Sequence, residues 1–204
     1  MNLLEAGKIS KLRIAHSRWL ALLIFFLLLI CGNRLGNGLK WEISKFAGLG
    51  CVIIASFGRV WSSVYIAGRK TSTLVESGPY STTRNPLYLF SLIGAIGLGL
   101  ASGSNLILAL LTLSFALYYP FVILGEEDSL RKIHGPAFEA YARRVPRFLP
   151  KISLYSEPET FAVNTKQLKS AILDASYFLW VYGALVLLEG LHNASILPTL
   201  FRLP

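Results

Sequence analysis

Two polar segments of the chain combine side chains in an order that could bind a small charged ligand. The first contains Arg84 and Asn85, directly before Pro86 and a long apolar block. An Asn before a Pro is typical of a helix start, with Asn as the N-cap and Pro at the first helical position. The backbone amides of a helix start favour an anionic group such as a carboxylate. A capped membrane helix with an interfacial arginine would explain the same residues without a ligand.

The second segment is acidic and reads Glu126-Glu127-Asp128 directly after an apolar block. A helix C-terminus disfavours negative charge, so either the helix continues past these residues or they bind a cation. Because a helical hairpin joins the two segments, both should lie at the same membrane face. A positive and a negative cluster across a small cleft suit a zwitterion such as an amino acid head group. A solvated helix end is the alternative explanation for the acidic residues.

A third polar segment, residues 136–150, could cover such a site. Phe138 and Tyr141 are spaced to share one face of a helix. Three arginines follow: Arg143, Arg144 and Arg147. This pattern predicts an amphipathic interfacial helix that closes over the ligand, or else a basic interfacial segment without one. His134 precedes a Gly-Pro break and is interpreted as structural.

Long apolar blocks must position these segments. The chain has 204 residues, of which 53% are hydrophobic and only 15% charged, whereas soluble domains have about 25% charged residues. The blocks lie at residues 19–31, 46–67, 86–101, 106–124 and 171–191. We therefore predict an all-α, multi-pass transmembrane helical bundle of about five helices, with a helical hairpin between Pro86 and Leu124. The block at 86–101 is short for a span, which needs about 20 residues.

The distribution of charge predicts how the bundle is oriented. The net charge is +9, and the basic residues lie between the apolar blocks rather than in one tract. With a cytoplasmic N-terminus, segments 1–18, 68–85 and 125–170 are cytoplasmic and carry most of the Lys and Arg residues, which agrees with the positive-inside rule. We expect an integral membrane protein whose basic loops contact anionic membrane lipids, and we expect no binding of nucleic acid.

Isolated polar residues within the blocks have simple explanations. Cys31 and Cys51 form neither a disulfide framework nor a metal box, and they are interpreted as small apolar side chains in helices. No metal site is expected. Arg59 is the one charged residue of its block. For this residue, pairing inside the bundle or snorkelling is favoured over contact with a substrate.

Together these motifs resemble the isoprenylcysteine carboxyl methyltransferase family, which belongs with the phospholipid methyltransferases. The resemblance covers about residues 68–150. The motifs that carry it, in the family's order, are Gly78-Pro79-Tyr80, Arg84-Asn85-Pro86-Leu87-Tyr88, Glu126-Glu127, Gly135, Tyr141 and Val145-Pro146-Arg147-Phe148-Leu149-Pro150. It implies a methyltransferase core at 68–150. The apolar blocks predict N-terminal transmembrane helices at 1–67 before this core, and a cytoplasmic linker with a C-terminal transmembrane helix at 151–204 after it.

The resemblance implies a pocket for S-adenosylmethionine (SAM) at the cytoplasmic membrane face, without a Rossmann domain. The residues implied to bind the cofactor are Leu74, Val75, Tyr80, Arg84, Asn85, Pro86, Leu87, Tyr88, Glu126 and Glu127. The positions implied to be catalytic are Arg84, Asn85 and Glu126. Glu126 would hold the amino end of the cofactor, with Glu127 beside it, and residues 136–150 would cover it.

The resemblance implies a SAM-dependent methyltransferase that acts on a lipid-borne or prenylated membrane-embedded substrate. Asn85 stands where the family motif has His, which excludes a titrating base at this position. A carboxylate acceptor needs no base, which favours O-methylation; N-methylation of a phospholipid such as phosphatidylethanolamine is the alternative. Val122 stands near the place where the prenylcysteine enzymes have a substrate-binding Arg, so the substrate is less defined than the cofactor. A non-enzymatic membrane protein, such as a scaffold or transporter subunit, is the remaining interpretation.

Overall fold

The apolar blocks form helices in the described chain, as predicted. The computed structural model describes residues 31–32, 38–67, 73–160, 163–197 and 201–202. Its helices are α1 (Leu39–Ile66), α2 (Pro79–Thr82), α3 (Pro86–Ala101), α4 (Asn105–His134), α5 (Pro136–Arg144) and α6 (Thr165–Asn193), with a 3₁₀ turn at Ile152–Leu154. The strands β1 (Cys31–Gly32) and β2 (Phe201–Arg202) form a parallel pair. The fold is therefore all-α apart from this short pair.

Three helices within the described ranges are long and apolar enough to cross a membrane, namely α1, α4 and α6. The apolar helix α3 has only 16 residues, which matches the short block predicted at 86–101. The predicted first helix at 19–31 lies outside the described residues except for Cys31. That residue lies in β1, so the prediction of a helix is wrong at this position, because its backbone pairs with β2 instead.

Helix α4 extends well past its predicted end at Leu124 and ends at His134. The Ser104 hydroxyl caps its start by accepting a 3.3 Å hydrogen bond from the amide of Ile107. Basic residues occupy its last turn, where they complement the negative end of the helix dipole. The helix therefore continues past the acidic residues after Leu124, which was one of the two explanations for them.

Helix α3 is the centre of the bundle. Helices α1 and α4 pack on it, and α6 packs against both α1 and α3. A Cβ atom at Gly48 of α1 would lie 2.6 Å from the carbonyl oxygen of Gly97 of α3. Small residues permit this close approach, on which van der Waals packing between membrane helices depends. In the described part of the chain α4 scarcely contacts α1, so these two helices are linked mainly through α3.

The helices bring the predicted polar segments to one end of the bundle, as expected for a hairpin. Helix α1 ends there at Ile66, α3 begins there at Pro86, and α4 carries residues 126–128 there. We call this end of the bundle the polar end. At the opposite end, Glu189 of α6 accepts a 2.8 Å hydrogen bond from Trp41 Nε1 of α1, which fixes these two helices against each other.

Candidate functional site

The segment before α3 and the segment after α5 pair along their backbones at the polar end. The amide of Gly78 donates to the carbonyl of Ser156 over 2.7 Å, and the amide of Arg84 donates to the carbonyl of Pro146 over 2.9 Å. The two segments therefore run in opposite directions. The chain after α5 therefore lies against the turn before α3.

Helix α5 is held on this turn by an apolar cluster of Phe138, Tyr141 and Val145, against which Leu74 also packs. The rings of Phe138 and Tyr141 are 6.1 Å apart, so the predicted shared helical face is confirmed. Tyr141 donates its hydroxyl to the carbonyl of Tyr80 over 2.8 Å. Burial raises the pKa of the Tyr141 phenol, which keeps this donor neutral.

Glu127 is the electrostatic centre of the polar end. It is only 3% exposed, and its two carboxylate oxygens lie 3.1 Å from Arg84 Nε and 3.1 Å from Arg147 Nε. Arg84 also donates Nη1 to the carbonyl of Ala142 in α5 over 2.8 Å. An unpaired buried carboxylate would cost several kcal/mol, so these partners are needed. Glu127 thereby joins α4 to the turn before α3 and to the chain after α5.

Asn85 precedes α3, but its side chain does not cap the helix. Asn85 therefore occupies the predicted N-cap position, but without a side-chain capping bond. Its Nδ2 donates to the carbonyl of Arg147 over 2.9 Å and to Glu127 Oε1 over 3.3 Å. Pro86 does occupy the first helical position, as predicted. Glu127 thus places a carboxylate of the chain itself beside the N-cap residue of this helix.

Glu126 has a different partner from Glu127. The Tyr88 hydroxyl donates a hydrogen bond to Glu126 Oε1 over 2.7 Å. The Tyr88 ring meets the edge of the Tyr119 ring at 5.3 Å, and Tyr119 stacks on Phe115 at 3.9 Å between ring centroids. Helices α3 and α4 therefore form a row of aromatic rings that ends at a partly buried carboxylate. We call Tyr88, Tyr119 and Phe115 the aromatic row.

Arg59 approaches the same region from α1. Its Nη1 donates to the Ser91 hydroxyl of α3, and its guanidinium carbon lies 5.7 Å from the ring centroid of Phe178 of α6. Arg59 therefore has partners inside the bundle, as predicted, although neither of them is an anion. The tyrosines among its electrostatic neighbours are Tyr80, Tyr88 and Tyr119.

The predicted cofactor-binding residues divide into groups with different surroundings. Around Glu127 lie Arg84 and Asn85. Tyr88 belongs to the aromatic row and binds Glu126, and Tyr80 lies near Glu126 and Arg59. Of the remaining four residues, Leu74 packs against α5, Val75 and Leu87 are partly buried, and Pro86 is buried. Burial raises the pKa of the Tyr80 phenol well above its ordinary value, so this group is neutral.

Two residues of the region were missed as site residues by sequence reasoning. Tyr119 lies inside an apolar block beside Tyr118, and only its spacing of seven residues before Glu126 indicates that the two share a face of α4. Arg147 follows Arg143 and Arg144, and local sequence does not distinguish it from them. Its contact with Glu127 depends on the backbone pairing between the chain after α5 and the turn before α3, which is a long-range feature.

Metal-binding side chains are not grouped in the part of the chain that the structure describes. There, no set of three or more His, Cys, Asp or Glu residues is arranged to hold a metal ion. Cys51 lies in α1, as predicted, and is a free thiol.

Comparisons with known proteins identify relatives of this chain. The phospholipid methyltransferase family matches residues 44–137. The cobalt-zinc-cadmium resistance protein CzcN of Cupriavidus metallidurans is 38% identical over 189 residues, which cover 93% of this chain and 80% of that protein. The nickel-cobalt-cadmium resistance protein NccN of Alcaligenes xylosoxydans xylosoxydans is 39% identical over 153 residues, which cover 75% of this chain and 71% of that protein. No solved structure matches the chain.

The family match includes the helices that build the polar end, from α1 with Arg59 to α4 with Glu126 and Glu127. The three long apolar helices of the described chain and the family match both indicate a membrane protein. The chain belongs to the phospholipid methyltransferase family.

Proposed function

We propose that this protein is an integral membrane methyltransferase that uses SAM to methylate a lipid-borne acceptor. The observation that carries the proposal is the hydrogen bond between Tyr88 and Glu126 beside the Tyr119 ring, within the part of the chain that the phospholipid methyltransferase family matches. The motifs resemble those of the isoprenylcysteine carboxyl methyltransferases. We therefore propose O-methylation of a carboxylate as the reaction, and N-methylation of a phospholipid as the alternative.

The residues at the polar end fit the charge of SAM. The cofactor has a cationic sulfonium and an amino acid end with an ammonium group. Glu126 offers a carboxylate to a cation. Tyr88 and Tyr119 offer ring faces, which attract a cation within about 6 Å of the ring centroid. Because Arg84 and Glu127 pair with each other, we assign the contact with the cofactor cation to Glu126 and the aromatic row.

The surroundings of Asn85 favour a carboxylate acceptor. When bound, SAM supplies an electrophilic methyl group that an acceptor displaces in line, and the protein aligns the two. A carboxylate is already ionised at neutral pH, whereas an ammonium group must first lose a proton to a base. Asn85 does not titrate, and its side chain is engaged with Glu127 and the carbonyl of Arg147.

We infer that the N-terminus and the polar end face the cytoplasm, where SAM is made. The inference rests on the excess of Lys and Arg in the segments at that end. A cysteine introduced by Ala137→Cys, in a variant without Cys31 and Cys51, is expected to react with a membrane-impermeant maleimide only from the cytoplasmic side. Reaction from the outer side would contradict this orientation.

Calorimetric titration of the purified protein with SAM tests the cofactor assignment. Glu126→Gln keeps the size of the side chain but removes its charge. It should weaken SAM binding at least about tenfold, because contacts to a charged group contribute roughly 1.5–3 kcal/mol. Asp128→Asn is the matched control, since Asp128 pairs on the surface with Lys132. Unchanged affinity in Glu126→Gln would contradict the assignment.

Incubation of membranes with radiolabelled SAM separates the possible reactions. A base-labile methyl ester in the lipid fraction supports O-methylation, and methylated phosphatidylethanolamine supports N-methylation. If the wild-type protein neither binds SAM nor labels any lipid, the non-enzymatic interpretation replaces both.

The names of the relatives suggest a physiological setting. CzcN is named for resistance to cobalt, zinc and cadmium, and NccN for resistance to nickel, cobalt and cadmium. We propose that this chain contributes to such resistance through methyl transfer. A deletion strain should then recover growth on cobalt salts with the wild-type gene but not with Glu126→Gln at equal expression. Full rescue by Glu126→Gln would contradict this link.

A further inference from the structure

Arg59 is a partly buried cation without an anionic partner in the described chain. A guanidinium has five N–H donors. Here Nη1 donates to Ser91, and the group lies over the ring of Phe178. The Nε atom is buried and has no hydrogen-bond partner among the described residues. No described carboxylate lies within ion-pair distance, and Asp174 of α6 acts on it only through the longer-range field.

A charged side chain within a membrane span has an energetic cost that some interaction must offset. Arginines within membrane spans are costly, and they almost always pair with another group or line a path for a substrate or ion. A hydroxyl and an aromatic ring satisfy part of the hydrogen-bonding and electrostatic demand but do not neutralise the charge. Elsewhere in the described bundle, Lys45 pairs with Glu189 over 2.7 Å. Lys45 has an anionic partner, whereas Arg59 has none among the described residues. This difference indicates that Arg59 is arranged to receive an anion from outside the chain.

Arg59 and Glu126 bind neighbouring positions on the surface of α3. Ser91, which binds Arg59, is three residues after Tyr88, which binds Glu126, and residues at this spacing are neighbours on a helix surface. Both charges are also electrostatic neighbours of Tyr80. A cation-binding carboxylate and an anion-binding guanidinium therefore flank one stretch of tyrosines.

The depth of Arg59 suits the head group of a lipid. It is seven residues before Ile66, the last residue of α1, which corresponds to about 10 Å along the helix axis. Arg59 therefore lies about midway between the centre of α1 and its end at Ile66. The apolar side chains of Phe57 and Trp61 on the same helix are exposed, so α1 offers an apolar surface to lipid at this depth.

We propose that Arg59 binds the anionic oxygen group of the lipid-borne methyl acceptor, a carboxylate or a phosphate. The unused Nε and the Nη groups offer the paired donors that such oxygens accept. The identity of this lipid as the methyl acceptor rests on the proposed function. Arg59 selects acceptors by charge, while Glu126 binds the cationic methyl donor.

Calorimetric titration with matched lipids, in detergent and without SAM, tests the proposal directly. One pair of probes is palmitate and methyl palmitate, and the other is monooleoyl phosphatidic acid and monoolein. The wild-type protein should bind at least one acidic lipid about tenfold or more tightly than its neutral partner, as expected for contacts to a charged group. Preference within the first pair identifies a carboxylate, and preference within the second identifies a phosphate. Equal binding within both pairs would overturn the proposal.

Variants identify the cation that is responsible. Arg59→Gln should abolish the preference for the acidic lipid, and Arg59→Lys should keep much of it because the charge remains. Lys169→Gln is the control, since it removes one positive charge from an exposed position of α6 and should leave the preference intact. A preference that survives in a folded Arg59→Gln protein would contradict the assignment, and so would its equal loss in Lys169→Gln.

The lipid titrations test the role of Arg59, and the SAM titration tests the proposed function, so either proposal can be refuted without the other. Loss of the preference for acidic lipids with intact SAM binding refutes only the role of Arg59. An Arg59-dependent preference in a protein that does not bind SAM refutes the methyltransferase proposal and retains an anionic-lipid site.

Discussion

The Tyr88 hydroxyl donates a 2.7 Å hydrogen bond to Glu126 Oε1 and so joins the first turn of α3 to the polar end of α4. The adjacent carboxylate, Glu127, is buried and paired with Arg84 and Arg147 instead. Two neighbouring acidic residues therefore have separate roles. Glu127 fastens the segments of the polar end together, and we assign to Glu126 the contact with a cationic ligand.

Removing the Tyr88 hydroxyl should weaken this contact without removing the aromatic ring. Tyr88→Phe leaves Glu126 without the donor that orients its carboxylate. We expect SAM affinity, measured by calorimetry, to fall by about tenfold, since a hydrogen bond to a charged group contributes on the order of 1.5 kcal/mol. Tyr177→Phe on the exposed surface of α6 is the control. Equal SAM affinities in Tyr88→Phe and the wild type would argue against a role of Glu126 in binding.

Glu127→Gln should destabilise the protein rather than change its chemistry. The substitution leaves Arg84, whose side chain is mostly buried, without its carboxylate. Breaking a buried ion pair costs about 3 kcal/mol, so the melting temperature in detergent should fall on the order of 5–10 °C. Asp128→Asn, which affects an exposed pair with Lys132, should change the melting temperature much less. Similar melting temperatures for both variants would contradict the central role of Glu127.

The sequence predicted the features that depend on local patterns. The bounds of α3 follow from Pro86 and from the end of the apolar block at Ala101, and both lie where predicted. The shared face of Phe138 and Tyr141 follows from helical spacing in the same way. The extent of α4 was underestimated, because residues 125–134 are polar although they continue the helix.

The site was less predictable, because its partners come from distant parts of the chain. Asn85 has the sequence pattern of a capping residue, but Glu127 and the carbonyl of Arg147 bind its side chain. No local rule reveals which carboxylate meets which arginine. The same holds for Arg59, whose contacts on α3 and α6 depend on how three helices pack.

Close packing of α1 on α3 predicts a difference between two glycines of α1. Gly48→Ala introduces a Cβ atom 2.6 Å from the carbonyl oxygen of Gly97, so the helices must move apart. Gly50→Ala meets nothing within 4 Å and should be neutral or stabilising by up to about 1 kcal/mol. We expect Gly48→Ala to lower the melting temperature and Gly50→Ala to maintain or raise it. A reversed order would show that α1 and α3 do not approach at Gly48.

The chain after α5 should be attached to α1 in a pH-dependent manner through Glu157. Tyr65 of α1 and Tyr155 donate hydroxyl hydrogen bonds to its two carboxylate oxygens. These bonds hold the pKa of Glu157 below its ordinary value of about 4.5. A carboxyl with a lowered pKa in the folded protein stabilises it above that ordinary value, and the contribution is lost as the pH falls through the lowered pKa.

Hydrogen exchange measured by mass spectrometry can test this attachment at the amides of Gly78 and Ser156, which bond across the two segments. At neutral pH these amides should exchange faster in Glu157→Gln than in the wild type, because a Gln side chain has one acceptor oxygen instead of two. At about pH 3 the two proteins should exchange alike, since protonation then weakens the same bonds in the wild type. Comparison at equal pH cancels the intrinsic pH dependence of exchange. Glu159→Gln, at an exposed position two residues further along, is the control and should exchange like the wild type at every pH. If the difference between Glu157→Gln and the wild type persists unchanged to low pH, the charge of Glu157 does not hold the two segments together.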